Sequence, residues 1–307
     1  MKLSVIVASC NRSESLQMFL KSLENQEIPQ GCDWEALIVD NNSTDDTKNV
    51  SQVFISRNSG RFRYLFEARQ GKSIALNSAI PQAKGEVLVF TDDDCLPDSG
   101  WLCAIVNEFT TDPLLSILGG RVELYCKDDR PVTIRTYKDR ILFSSPEQLF
   151  SLIPGCNMAI RRSVFDSVGD FDPLLGPGTK MGAVSEDTDL IYRVYKKGFK
   201  IAYSPDVLVY HNHGRRTDAQ VQSLNHKYVV GRGAFYCKHI LKADICVLKM
   251  AYWEVLALMK GLFKERFTGE RARERKILLW DLLIGLAYVP SAIYWNLTRR
   301  FVARLLL

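Results

Sequence analysis

The chain has 307 residues, 47% of them hydrophobic and 24% charged, which excludes a disordered polymer and leaves room for one large domain or two modest ones. Its formal net charge of +5 hides an asymmetry: from Lys227 to the end, 15 Lys/Arg stand against 6 Asp/Glu, a net of +9, and the preceding residues carry −4. The two parts therefore face different partners.

In chain order, Leu3–Ala8 (LSVIVA) is an apolar run too short for the core of a secretory leader, and is predicted as a buried first strand. Ser13–Asn25 carries apolar residues at helical spacing, and Trp34–Asp40 is a second strand. Ser43, Thr44 and Asp45 supply caps for a helix through about Phe54. A strand over Phe62–Phe66, a helix over Gly71–Ala83 and a strand over Glu86–Thr91 follow, the last ending in Asp92–Asp93–Asp94. This alternation implies βαβ units and a mostly parallel sheet. Such sheets bind ligands at the carboxyl ends of their strands, where Asp40 and the acidic cluster fall.

The middle third is less regular. A helix near Ser99–Phe109 leads to a strand near Leu115–Val122, and Ile153–Ile160 reads as extended. Asp172–Val184 is rich in proline and glycine and is predicted as a mobile loop. Ser185-Glu186-Asp187 opens a helix through about Lys197, and strands follow over Phe199–Tyr203 and Val207–Tyr210.

The last eighty residues change character. Asp244–Phe263 is an apolar helix on which Lys242, Lys249, Lys260 and Lys264 fall within roughly 60° of one another. Lys264–Lys276 holds six basic and three acidic residues, and Ile277–Leu297 is apolar apart from Asp281, with Pro290 within it. Its length matches the ~30 Å hydrocarbon core. The pattern predicts an in-plane amphipathic helix, a basic juxtamembrane loop and a membrane-embedded hairpin or span. An ordinary helical subdomain packed on the rest of the chain is the competing reading. The eight cysteines are scattered, with no CxxC pair and no Cys/His zinc spacing, which fits reduced thiols in a cytosolic compartment.

Three consecutive carboxylates at a strand end repel one another more strongly as the site dries, so packing alone does not account for Asp92–Asp94. A divalent cation bound to diphosphate oxygens would relieve that repulsion. A nuclease or phosphatase could use the same carboxylates, so the cluster names a metal and not a reaction. Asp40, after the second strand, could accept hydrogen bonds from a base or ribose, or could simply cap the helix behind it. Glu186-Asp187 at a helix start is either a pair of dipole-matched acids or a general base beside a lid. His211 and His213 alternate on one strand and could face a common site. After the first strand Ala8-Ser9-Cys10-Asn11-Arg12 stands where a glycine-rich fingerprint would be, which disfavours a nicotinamide enzyme.

Taken in order, VIVASCNR (5–12), LIVDNNSTDDT (37–47), GEVLVFTDDDCLPD (85–98), GCNMAIRRSVFDSVGDFDP (155–173) and SEDTDLIYRVYKKGFKIAYSPDVLVYH (185–211) resemble family 2 of the inverting glycosyltransferases. The likeness runs over about two-thirds of the chain. It implies a GT-A fold, α/β with a Rossmann-like mixed, mostly parallel central sheet flanked by helices, followed by an α-helical membrane-associated extension. Residues 1–226 would form the catalytic domain, 1–95 its nucleotide-binding half and 96–226 its acceptor-side half, with 227–307 as the extension. Ala8, Ser9, Asn11, Arg12 and Asp40 would line the nucleotide, with Asp92 and Asp93 beside the diphosphate. Asp92, Asp94 and His211 would hold Mg2+ or Mn2+, and Asp187, with Glu186 beside it, would be the catalytic base. Many members carry Ala-Arg-Asn on the third helix; here Ala75-Leu76-Asn77 lacks the arginine, and Arg69 or Lys72 would supply the phosphate charge.

The expected activity is inverting transfer from a nucleotide-sugar to a saccharide or lipid-linked acceptor, at the cytoplasmic face of a membrane and without nucleic acid. A metal-dependent phosphoryl or nucleotidyl transferase using the same aspartates is the alternative.

Overall fold

The segments Lys2–Ser9, Asp33–Asp40 and Val87–Asp92 are rich in β-branched and aliphatic residues and largely buried on both faces, as a sheet covered on two sides requires. The computed structural model of the chain describes residues 1–58, 60–179, 182, 184–264 and 275–287. Two compact units emerge: residues 1–172 with 187–217, and residues 173–186 with the chain from Asp218 onward.

In the first unit, β1 (Lys2–Ser9), α1 (Ser13–Glu24), β2 (Asp33–Asp40), α2 (Thr47–Arg57), β3 (Phe62–Phe66), α3 (Lys72–Ala79) and β4 (Val87–Asp92) build the expected βαβ half. Then come β5 (Cys95–Pro97), α4 (Trp101–Thr111), β6 (Leu115–Leu124), the short β7 (Ile141–Leu142), β8 (Asn157–Arg161), α5 (Ser163–Val168), α6 (Glu186–Lys196, Glu186 itself falling in the other unit) and β9 (Lys200–His211). The strands form one sheet in the order β3-β2-β1-β4-β8-β6-β9-β5, with β7 paired to β9. The sheet is mixed, as the resemblance implies, with its antiparallel pairs in the second half. The β3-β2-β1-β4 half is parallel, as is the long β6–β9 pair, but β8 runs antiparallel to both β4 and β6, and β5 and β7 run antiparallel to β9. The physical reason is connectivity: β8 enters the sheet from a long irregular segment and needs no crossover helix to set its direction.

The two predicted strands 199–203 and 207–210 are one strand, β9, with a bulge where its pairing to β6 shifts between Gly120 and Arg121. Asn157 staples that bulge. Its amide donates to the Arg121 carbonyl (2.9 Å) and the Val207 carbonyl (2.8 Å), and its Oδ1 accepts the Trp101 indole N–H (2.9 Å). Gly120 makes room for it, since a Cβ there would lie 2.2 Å from the Asn157 amide nitrogen. The paired Arg161 and Arg162 are also architectural: Arg161 donates to the Leu115 and Phe109 carbonyls and Arg162 to the Gly85 carbonyl.

Register places the chemistry. Ser9 pairs with Asp40, and Ala8 with Asp92, so β1, β2 and β4 end together. Asn157, which opens β8, pairs with Thr91, and Cys95 of β5 pairs with His211, which closes β9. Strand ends therefore line up along one edge.

The second unit contains α7 (Asp218–Ile240) and α8 (Ile245–Lys264), and residues 275–287 are helical. Residues 275–287 cross α7 at glycine: a Cβ on Gly285 would lie 2.2 Å from the Val230 carbonyl oxygen, and one on Gly233 2.3 Å from that of Leu282. Asp281, the lone acid of the apolar segment, is buried against α7, where its Oδ1 lies 2.8 Å from His226 Nδ1. Among the described residues no helix is long and apolar enough to cross a membrane. Most of the basic run 264–276, and the Ile277–Leu297 segment beyond residue 287, lie outside the described residues.

Candidate active site

The turn after β1 is bound to the turn after β2. Asn11, in the left-handed region at φ 53°, donates its backbone N–H to Ser43 Oγ (3.0 Å), and its Oδ1 accepts the Thr44 N–H (2.7 Å). The Ser13 N–H donates to Asp45 Oδ2 (2.9 Å). Asp40 is buried beneath these turns, with Oδ1 accepting the Ser43 N–H (2.9 Å) and Oδ2 the Tyr64 hydroxyl (2.7 Å). Burial and the Asp40 carboxylate push the Tyr64 phenol upward, so it stays a donor. Each Asp40 oxygen thus accepts one hydrogen bond and has a second lone pair. Asn41 ties the third loop in, donating to the Glu67 and Arg69 carbonyls and accepting the Gly71 N–H.

The three aspartates diverge. Asp92 points to Lys72 Nζ, 2.5 Å away. Asp93 turns inward, accepting the Ser9 hydroxyl (2.7 Å) and pairing with Arg12 (3.1 Å). Asp94 takes the other arm of Arg12 (2.7 Å) on Oδ2 and faces His211 Nε2 (3.3 Å) with Oδ1. Asp93 and Asp94 are 3% and 5% exposed, so the electrostatics between them are barely screened. Burial raises the Asp93 carboxyl to about 7 against the pull of Arg12, with Asp94 and Asp92 adding to the rise. Asp94 goes the other way: burial opposes it, but His211 and Arg12 hold its carboxyl well below the usual range. Burial likewise opposes charge on His211, yet the bond to Asp94 raises its imidazole above the ordinary value.

The separation of Asp94 Oδ1 and His211 Nε2 matches that of neighbouring donors on one divalent ion, about 3 Å. Asp92, two positions earlier in the chain, is turned to Lys72, so the oxygen and nitrogen donors that meet are those of Asp94 and His211. His213 packs edge-on against His211 (ring centroids 4.9 Å), but its Nδ1 accepts the Arg215 N–H (2.9 Å) and lies 3.6 Å from Asp129, which also binds Arg216 and the Gly214 N–H. Arg69 forms a two-pronged ion pair with Glu67, its side chain 74% exposed, so of the two conjectured phosphate ligands it is Lys72 that lies at the acidic cluster.

Asp187, in the first turn of α6, is half-buried and accepts the Thr188 N–H on Oδ1 (2.7 Å). Its other oxygen abuts Gly155, where a Cβ would lie 2.2 Å from Oδ2. Gly155 immediately precedes Cys156 and Asn157, so this contact sets Asp187 at the strand-end edge that carries Thr91 and the aspartates. Glu186 is buried. Arg193, paired with the buried Asp189 (2.8 Å), grips the Val168, Gly169 and Asp170 carbonyls. Asn77 completes the clamp through two bonds to the Phe171 backbone (2.7 and 3.0 Å). The asparagine of the Ala-Leu-Asn stretch is thus a loop staple. Tyr64 and Thr133 (Oγ1 2.9 Å from His211 Nδ1) are partners that sequence reasoning did not single out.

The family described as "Glycosyl transferase family 2" matches residues 4–169, more than half of the chain. The chain belongs to glycosyl transferase family 2. A second description, "Glycosyl transferase family group 2", matches residues 87–307. Among curated relatives of the family, the chain is 27% identical over 210 residues to "Glycosyltransferase AglE" of Haloferax volcanii, covering 68% of this chain and 66% of that protein. It is 37% identical over 109 residues to the "GalNAc(5)-diNAcBac-PP-undecaprenol beta-1,3-glucosyltransferase" of Campylobacter jejuni, covering 35% and 34%. The matches thus span from a third to two-thirds of these relatives' length. Two solved structures share the fold. One is S. aureus TarS 1–349 in complex with UDP, at TM-score 0.56 and 20% identity over 76% of this chain and 65% of that one. The other is the mannosyltransferase PcManGT of Pyrobaculum calidifontis in complex with GDP-Man and Mn2+, at TM-score 0.56 and 18% identity over 99% and 80%.

Proposed function

We propose that the chain transfers a sugar from a nucleotide-sugar donor to an acceptor hydroxyl, with inversion at the anomeric carbon and a divalent cation at Asp92, Asp94 and His211. The observation that carries this reading is the meeting of Asp94 and His211 at the strand-end edge shared with Asp40, Asp92 and the Gly155–Asp187 contact. When bound, the cation supplies positive charge to the diphosphate leaving group.

Around it the chain's own residues do the rest. The bound turns after β1 and β2 present Asn11, Arg12 and Asp40 to the nucleotide, and Asp40 offers its free lone pairs to base or ribose. Arg12 neutralises Asp93 and Asp94 until the donor arrives, and Lys72 trades Asp92 for phosphate oxygen. Asp93 remains on Ser9 and braces the turn. Asp187, fixed by Thr188 and Gly155, takes the acceptor's proton as its oxygen attacks opposite the leaving group, so one displacement inverts the centre. Glu186 precedes it as the buried acid of the helix start.

The relative named for an undecaprenol-linked saccharide and the exposed apolar surface of the second unit support a lipid-linked or surface saccharide as acceptor. On α8, Ile245, Leu248, Tyr252, Trp253 and Phe263 are exposed, as are Ile277 and Trp280 beyond it. Exposed aromatics beside Lys249 and Lys260 suit a helix lying in an anionic interface. The reading is tested by product analysis with a panel of nucleotide-sugars and Mn2+. Release of nucleoside diphosphate with a product anomer opposite to the donor's supports it, with Asp187→Asn inactive but still binding nucleotide. Pyrophosphate release with the nucleotide retained on the product would instead establish a nucleotidyl transferase.

A further inference from the structure

Cys95 and Cys156 stand 61 positions apart in the chain, yet the sheet brings both to His211. Cys95 is the strand partner of His211, and Cys156 immediately precedes the residue that pairs with Thr91. The two sulfurs and one imidazole nitrogen lie within 4.8 Å of one another. All three residues are buried, at 0%, 8% and 6% exposure. The neighbouring Asp94 Oδ1 is 3.9 Å from Cys95 Sγ and 3.3 Å from His211 Nε2.

A buried cysteine is most often a small hydrophobe among apolar neighbours. Here two thiols converge on an imidazole, with a carboxylate against one thiol and the imidazole, which makes a mixed sulfur, nitrogen and oxygen set. Tetrahedral zinc needs ligand atoms about 3.5–3.8 Å apart, given bonds of about 2.0–2.3 Å. The two sulfurs and the imidazole nitrogen, within 4.8 Å of one another, are at most about 1 Å wider than that spacing. Soft thiolates select zinc-type ions over magnesium and manganese.

We propose that Cys95, Cys156 and His211, with Asp94 as fourth donor, form a site for a thiophilic divalent cation of the zinc class. Binding turns both thiols into thiolates, and the two protons pass to solvent. His211 and Asp94 cannot serve this ion and a hard cation at once. The consequence, which rests on the function proposed above, is that zinc would inhibit transfer by competing with Mn2+ for these two residues.

The test uses the full-length protein with its thiols reduced, and Co2+ as the spectroscopic probe. One equivalent should give thiolate-to-cobalt absorption in the near ultraviolet together with the visible bands of a tetrahedral site. Equimolar Zn2+ should erase the spectrum, and a hundredfold excess of Mg2+ should leave it. Cys95→Ser and Cys156→Ser should each lose about half of the near-ultraviolet intensity, and the double variant all of it, with circular dichroism confirming the fold. A wild-type spectrum without thiolate absorption, or one displaced by Mg2+, overturns the proposal without recourse to any variant. So does an unchanged spectrum in a folded double variant. Manganese-dependent transfer with no cobalt–thiolate spectrum would remove this site and leave the transferase reading standing; a cobalt–thiolate spectrum in a protein that transfers no sugar would do the reverse.

Discussion

Gly155 and Asp187 are packed so closely that a single methyl group on the glycine would lie 2.2 Å from the carboxylate oxygen Oδ2. The alanine side chain of Gly155→Ala must therefore displace the carboxylate or the strand entry. A displacement near 1 Å costs on the order of a hundredfold in rate when the group is the catalytic base. Gly155→Ala should lower kcat by about that factor while nucleotide affinity changes less than about threefold, as checked by steady-state kinetics and calorimetry. An equal loss in both would place the damage in the fold and not in the base.

The buried aspartate makes the metal-free protein sensitive to pH. Asp93 binds its proton up to about 7 in the folded state, against 3.8 for an ordinary aspartate. Between those values the folded chain holds the proton and the unfolded chain does not, so stability falls as pH rises through the window. His211 adds in the same direction, since its raised imidazole contributes stability that is complete below 6.5 and lost as pH climbs through its folded value. Asp94 contributes oppositely and lower down: its depressed carboxyl stabilises above 3.8 and loses that as pH falls. Chelator-treated protein should therefore unfold at lower temperature at pH 8 than at pH 6. Asp93→Asn should flatten the slope, and excess Mn2+ should offset it.

The exposed aromatics of the second unit lead to a separate expectation. Trp253 and Trp280 are 61% and 65% exposed. Replacing both by serine removes apolar surface that would enter an interface, at roughly 25 cal/mol per Å2. Co-sedimentation with anionic vesicles should weaken about tenfold or more, and binding of the native chain should fall with added salt. Unchanged sedimentation would show that the surface serves another contact.

Much of this was legible in the residues. The apolar runs of β1, β2 and β4 and the helical spacing between them predicted the parallel half of the sheet to within a few positions. Asp92–Asp94 announced itself by three adjacent like charges. What stayed hidden was non-local. Direction in the second half of the sheet depends on how β8 enters, which no local period encodes. The inward turn of Asp93, the placement of His213 against Asp129 and the convergence of Cys95 with Cys156 depend on strand register, and two cysteines 61 residues apart leave no spacing signature. The Asn157 side chain lay inside a block read as acceptor-facing, and its three hydrogen bonds make it a structural staple instead.

The central claim is that Asp94, with His211, holds the cation that binds a nucleotide-sugar's diphosphate. It is tested most directly by titrating UDP- and GDP-sugars into the wild-type chain and Asp94→Asn, with Mn2+ and with chelator. The account requires that at least one donor bind the wild type with Mn2+ about a hundredfold more tightly than with chelator, and that Asp94→Asn abolish this difference. Donor binding that is indifferent to both the metal and Asp94 would contradict it.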